Sequence, residues 1–170
     1  MGKTVAQQII AEHLISGEMH LGTGEEAIAA GIAAHIQPGD AVALDHRGTP
    51  ILTLLGVDPT LMLKEMLGRE DGLCRGRGGH MHLFAPERLA ASSGIVGSAA
   101  PIAAGFALAA KRLRPGRVGV ALFGDGACNQ GMLLEALNLA VAWSLPAIFV
   151  CKDNGWAITT RSSLVTGGGI

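Results

Sequence analysis

Apolar residues follow two different spacings along this chain. Residues 4–16 (TVAQQIIAEHLIS) and 25–36 (EEAIAAGIAAHI) carry them at helical intervals, and Pro38-Gly39 stops the second helix. The run DAVALD at 40–45 is short and apolar, so it predicts a buried strand. It empties into the polar HRGTP, which sets Arg47 at the strand's C-terminal mouth. A helix over 60–67 leads into GREDGLCRGRGGHMH, whose glycines, arginines and sparse apolar content predict a long surface or lid loop. The alanine-rich AAPIAAGFALAAKRL at 99–113 predicts a helix small-sided enough to approach a neighbour closely.

RVGVALFGDG, NQGMLLEALNLAVAWS and PAIFVCKDNG read as strand, helix and strand. They make a βαβ unit, whose parallel strands require a right-handed crossover. The helix is apolar on nearly every face, which predicts a place between layers. The expected fold is therefore α/β, a parallel sheet flanked by helices. No linker or break in composition divides the chain, so residues 1–170 are expected to form one domain. Two or three parallel strands precede the tail VTGGGI, and a doubly wound sheet wants more. The sheet is expected to be incomplete, finished by further chain or by another polypeptide.

Composition narrows the function classes. Apolar residues make up 49% of the 170, enough for a substantial core, and 13 basic residues nearly cancel 14 acidic ones. No overall field favours nucleic acid or an anionic membrane surface. No apolar run approaches the ~20 residues of a membrane helix, and the N-terminus lacks a secretory core, so a cytoplasmic protein is expected. Cys74, Cys128 and Cys151 are odd in number and widely spaced, which suits free thiols in a reducing compartment.

The chemistry concentrates at two strand ends. In an open parallel sheet, ligands bind beyond the C-terminal ends of the strands, and Asp125 and Asn154 stand there on successive strands. A carboxylate and an amide carbonyl are hard oxygen donors that suit Mg²⁺ or Ca²⁺, and Mg²⁺ takes few protein ligands and completes its shell with phosphate oxygens and water. Gly124 and Gly126 permit a tight turn and close approach, and the amides of Gly126 and Ala127 open the next helix toward an anion. Two plainer readings stay open at this point. Asp125 also fits a helix N-cap, and Asn154-Gly155 also fits a simple turn.

GDGACNQG followed by EALNLAVAWSLPAIFVCKDNGWAIT resembles the thiamine diphosphate fingerprint, which opens with GDG and closes with an asparagine pair. HLGTGEEAIAAG, DHRG, GLCRGRGGHMH and GIVGSAAPIAAGFALAAK precede it in order. Together these blocks resemble the alpha subunit of the thiamine-dependent first component of 2-oxo acid dehydrogenase complexes of the pyruvate, branched-chain and acetoin types. The resemblance runs from about residue 14 to about 165 and implies the thiamine diphosphate-binding fold.

It also implies the site residues. Asp125, Asn154 and the main-chain carbonyl of Trp156 would bind Mg²⁺. Arg47 would contact the diphosphate with His46 beside it, Gly94 and Val96 would line the aminopyrimidine pocket, and Gly126 and Ala127 would hold diphosphate oxygens. Catalytic residues are not assigned. Lys152-Asp153 departs from the family, which has an asparagine preceded by an acid. Family alpha subunits are also about twice this length, and their active-site histidines in the C-terminal half have no counterpart here. The implied partners are a beta subunit in an α/β heterotetramer, a lipoyl acyltransferase component and a small 2-oxo acid. The implied reaction is oxidative decarboxylation with acyl transfer to lipoamide. A truncated non-catalytic remnant and a split transketolase-like enzyme are the competing readings.

Other patterns carry less. GTGEEA at 22–27 matches a nicotinamide fingerprint, but Glu25 and Glu26 would stand where the pyrophosphate sits, so they read as an acidic first turn, although the resemblance implies that this segment approaches the cofactor region. Cys74, His80 and His82 repeat no zinc spacing. Glu135, on an apolar helix, is expected to find a partner or an interface. Met132, Leu133, Leu137, Leu139 and Val141 are expected to be core or subunit contact.

Overall fold

The computed structural model describes residues 8, 11–15, 17 and 19–168. The helix expected over 4–16 falls largely outside them. Helix α1 (Glu26–Ala33) and strand β1 (Ala41–Leu44) are followed by α2 (Thr49–Leu54) and α3 (Pro59–Met66). Strands β2 (Phe84–Ala85) and β3 (Ala90–Ser92) precede α4 (Ala99–Leu113), β4 (Gly119–Gly124), α5 (Gly131–Ala142) and β5 (Ala147–Lys152). A hairpin, β6 (Trp156–Ala157) and β7 (Thr160–Arg161), then runs into a short 3-10 turn at Ser162–Leu164.

The sheet order is β2-β3-β1-β4-β5, with β3, β1, β4 and β5 parallel and only β2 antiparallel. The fold is mixed α/β. Its parallel strands number more than the two or three expected, because β3 is built from small residues (AAS) that carry little hydrophobic signal. Alternation along the strands divides the core in two. Val42, Leu44, Val120 and Leu122 meet α1, α2 and α3 on one face, while Ala43, Ala121 and Phe123 meet the alanines of α4 and Leu133 and Ala136 of α5 on the other.

One expectation is corrected. Helix α5 is not enclosed between layers. Leu133, Ala136 and Ala140 face the core, whereas Leu134 and Val141 are 58% and 81% exposed. Glu135 lies on the open side too, so burial costs it nothing. The loop over 68–82 lies at the surface, but it is anchored. Glu65 of α3 is fully buried, and its carboxylate accepts the backbone N–H groups of Cys74, Gly76 and Gly78 at 2.7, 2.8 and 2.6 Å. Burial raises the Glu65 pKa, but these donors outweigh it and hold the carboxyl below its usual range.

Candidate functional site

Parallel pairing brings three chain exits to one end of the sheet. Gly124 pairs with Lys152 and Ala43 with Ala121, so β1, β4 and β5 release Asp45, Asp125 and Asp153 at nearby levels. Beyond them lies a cavity of about 530 Å³, within the usual size range of small-molecule sites. Its wall brings together all ten residues singled out from the sequence: His46, Arg47, Gly94, Val96, Gly124, Asp125, Gly126, Ala127, Asn154 and Trp156. It also contains His20, Asp45, Met81 and Lys152, which sequence reasoning did not place there, and Glu25, whose segment the resemblance brings near the cofactor region.

Asp125 is 1% exposed, and its Oδ2 accepts a hydrogen bond from Ser162 Oγ, itself buried on the turn after the β6–β7 hairpin. Its side chain does not cap a helix. The segment Asp125–Asn129 is a 3-10 turn and α5 begins at Gly131, so Gly126 and Ala127 lie inside that turn and do not open the α-helix. Gly126 is required there by packing, since an added Cβ would fall 2.5 Å from Ala157 Cβ. Asn154 does form the turn that its pairing with glycine suggested: Oδ1 accepts Trp156 N–H at 2.9 Å, and Gly155 takes φ +74°. Asn154 also stands in the cavity wall, two residues past Lys152, which pairs with Gly124 at the end of β4.

A chain of charges crosses the inner wall. Arg47 Nη1 donates to Glu25 Oε1 at 3.0 Å, and Lys152 Nζ lies 2.6 Å from Glu25 Oε2 and 2.9 Å from Asp45 Oδ2. Burial raises the Glu25 pKa, but hydrogen bonds and charge from Lys152 and Arg47 prevail and hold its carboxyl low. His46 stacks edge-on against His20 with ring centroids 4.1 Å apart. Burial, joined by the charges of His20, Arg47 and Lys152, lowers the His46 pKa against the opposing pull of Asp45. Glu26 is exposed and donates nothing to this network; its carboxylate accepts Gly24 N–H at 2.9 Å, as an acidic first turn should.

These residues fit an anion bound through a divalent cation. Arg47 Nε is buried without a hydrogen-bond partner among the described residues, a donor left for something else. The wall holds three carboxylates, Glu25, Asp45 and Asp125, against two cations, Arg47 and Lys152. A diphosphate alone would add negative charge to a wall already net negative. A metal held by Asp125 and Asn154 oxygens would reverse that balance. Among the described residues no cluster of three His, Cys, Asp or Glu side chains forms a self-sufficient metal site, so such an ion would lean on its anion for ligands.

Few of the unforeseen residues left a trace in the sequence. Lys152 was visible as a departure from the fingerprint, and Asp45 as a polar residue ending a strand. Glu25 meets Lys152 across 127 positions, a pairing no local spacing encodes. Cys128 and Cys151 are free thiols whose sulfurs lie 3.8 Å apart. No helix among the described residues is long and apolar enough to cross a membrane.

The pattern of the family described as "Dehydrogenase E1 component" matches residues 4–166. The alpha subunit of acetoin:2,6-dichlorophenolindophenol oxidoreductase from Cupriavidus necator is 47% identical over 147 residues, covering 86% of this chain and 44% of that protein. The pyruvate dehydrogenase E1 component subunit alpha of Zymomonas mobilis is 42% identical over 155 residues, covering 90% and 44%. Its mitochondrial counterpart in Dictyostelium discoideum is 38% identical over 166 residues, covering 98% and 44%. The chain thus spans less than half the length of these relatives.

Proposed function

The chain belongs to the dehydrogenase E1 component family, and from that premise we propose that it supplies the diphosphate- and metal-binding half of a thiamine diphosphate site in an E1 alpha subunit. The observation that carries this reading is the cavity at the C-terminal ends of β1, β4 and β5, with Asp125, Asn154 and Arg47 together in its wall. Asp125, Asn154 and the Trp156 carbonyl would hold Mg²⁺. Arg47, with His46 beside it, would take the diphosphate, with Gly124, Gly126 and Ala127 allowing its approach. Gly94 and Val96 would face the aminopyrimidine.

Thiamine diphosphate, when bound, supplies the electron sink for oxidative decarboxylation of a 2-oxo acid. The chain's own residues bind and orient: Glu25 fixes Arg47, Ser162 fixes Asp125, and Trp156 and Ala157 close one side. Ile95, Val96 and Ile158 stand exposed on the rim, apolar area that a beta subunit would cover. The acyl group would pass to lipoamide on an acyltransferase component. Three free thiols suit the reducing cytoplasm, where we place this subunit. The reading treats residues 1–170 as one domain.

The test is thermal unfolding of the chain with Mg²⁺, with thiamine diphosphate, with both, and with both plus a beta subunit. A half-site predicts stabilisation that requires metal and cofactor together and grows with the partner. Asp125→Ala should abolish the joint effect. Absence of any shift in the wild-type chain would refute the proposal.

A further inference from the structure

Lys152 has no role in the site as assigned so far. It is 7% exposed, it lines the cavity, and Glu25 grips it by one carboxylate oxygen while the other oxygen grips Arg47. One carboxylate therefore holds two cations side by side along the wall. Neither cation is saturated. Lys152 gives hydrogen bonds to Glu25 and Asp45, two of the three that an ammonium has, and Arg47 Nε has no partner among the described residues.

We propose that Lys152 is a second anion-binding prong beside Arg47, and that Glu25 is the positioning carboxylate that sets the two prongs apart. The proposal rests on the reading of the ligand as thiamine diphosphate with a divalent cation. A diphosphate offers two phosphoryl groups, and two cations fixed on a common carboxylate offer each group its own charge-assisted donor. Holding them in advance removes the ordering cost that a free lysine would bring to binding.

The plainer account is a self-neutralising network, since Arg47 and Lys152 cancel Glu25 and Asp45. The two accounts differ in sign. If the network only neutralises itself, Glu25→Gln removes a negative charge from the wall and an anion binds more tightly. If Glu25 positions the prongs, the same change frees Arg47 from its ion pair and leaves Lys152 on Asp45 alone, and the anion binds more weakly.

The experiment is calorimetric titration of the whole chain with thiamine diphosphate and with thiamine, each in Mg²⁺, for wild type, Lys152→Met and Glu25→Gln. Ligand-free unfolding midpoints verify that each variant is folded. Lys152→Met is expected to weaken thiamine diphosphate at least about tenfold and to leave thiamine within about twofold, the loss expected of one charged hydrogen bond. Glu25→Gln is expected to weaken thiamine diphosphate as well. Should Lys152→Met fail to fold, Glu25→Gln, which keeps the shape of the side chain, decides by sign alone. Unchanged or tighter thiamine diphosphate binding in Glu25→Gln overturns the proposal, as does an equal loss for both ligands in Lys152→Met. Wild-type chain that binds neither ligand refutes the cofactor reading itself.

Discussion

Glu65 and Asp125 are both shut away from solvent, at 0% and 1% exposure, yet their surroundings differ. Glu65 is saturated. Three backbone N–H groups from a glycine-rich loop converge on it within 2.8 Å, so the charge is stabilised and the loop takes its shape from the carboxylate. Asp125 has a hydroxyl donor from Ser162, and among the described residues no cation pairs with it. A buried carboxylate with little to neutralise it costs several kcal/mol, a cost that a bound cation would offset. Saturation marks a carboxylate that builds structure, and its absence at a strand end is what the proposed metal site calls for.

Breaking the saturated side should give the largest effect. Glu65→Ala leaves three N–H groups near the core without an acceptor and should destabilise the chain by about 4 kcal/mol in urea unfolding. It should also open Arg75 and Arg77 to trypsin. A loss below about 1 kcal/mol would mean that the loop holds itself.

Acid probes the same group. The folded-state pKa of Glu65 is depressed, so its contribution is complete above the ordinary glutamate range and is lost as pH falls through the folded value. Wild-type stability should decline on acidification below that range by up to ~1.4 kcal/mol per pH unit from this group, and Glu65→Gln should remove that part of the slope. An identical slope in both proteins would assign the acid sensitivity elsewhere.

On the Asp125 side the effects on the ligand-free chain should be smaller. Gly126→Ala forces a Cβ against Ala157, which should cost about 1–3 kcal/mol and loosen the hairpin from the Asp125 turn. Asp125→Asn should not destabilise the ligand-free chain and should raise its stability, because it removes a poorly compensated buried charge while keeping an acceptor for Ser162. A loss as large as that of Glu65→Ala would erase the contrast between the two sites.

The same contrast explains what the sequence disclosed. β4, α4 and β5 were legible because their apolar runs are long or their small residues are periodic. β3, β2 and the β6–β7 hairpin were not, since two- and three-residue strands of alanine, serine or threonine carry no period to detect. Asp125 and Asn154 were legible because glycine flanks each at the end of an apolar run. Glu65 was hidden on an amphipathic helix, where a glutamate normally belongs to the solvated face. Lys152 showed only as an anomaly in a fingerprint, and its meaning came from Glu25 and Asp45, which tertiary folding alone brings to it.

The central claim is that Asp125 and Asn154 converge on one divalent cation. It is tested most directly by growing crystals with thiamine diphosphate and Mn²⁺ and locating the metal by its anomalous scattering. The account predicts a single peak at coordination distance, roughly 2.2 Å, from a carboxylate oxygen of Asp125 and from Asn154 Oδ1. A peak bound elsewhere in the chain, or cofactor density with no metal between those two residues, would contradict it.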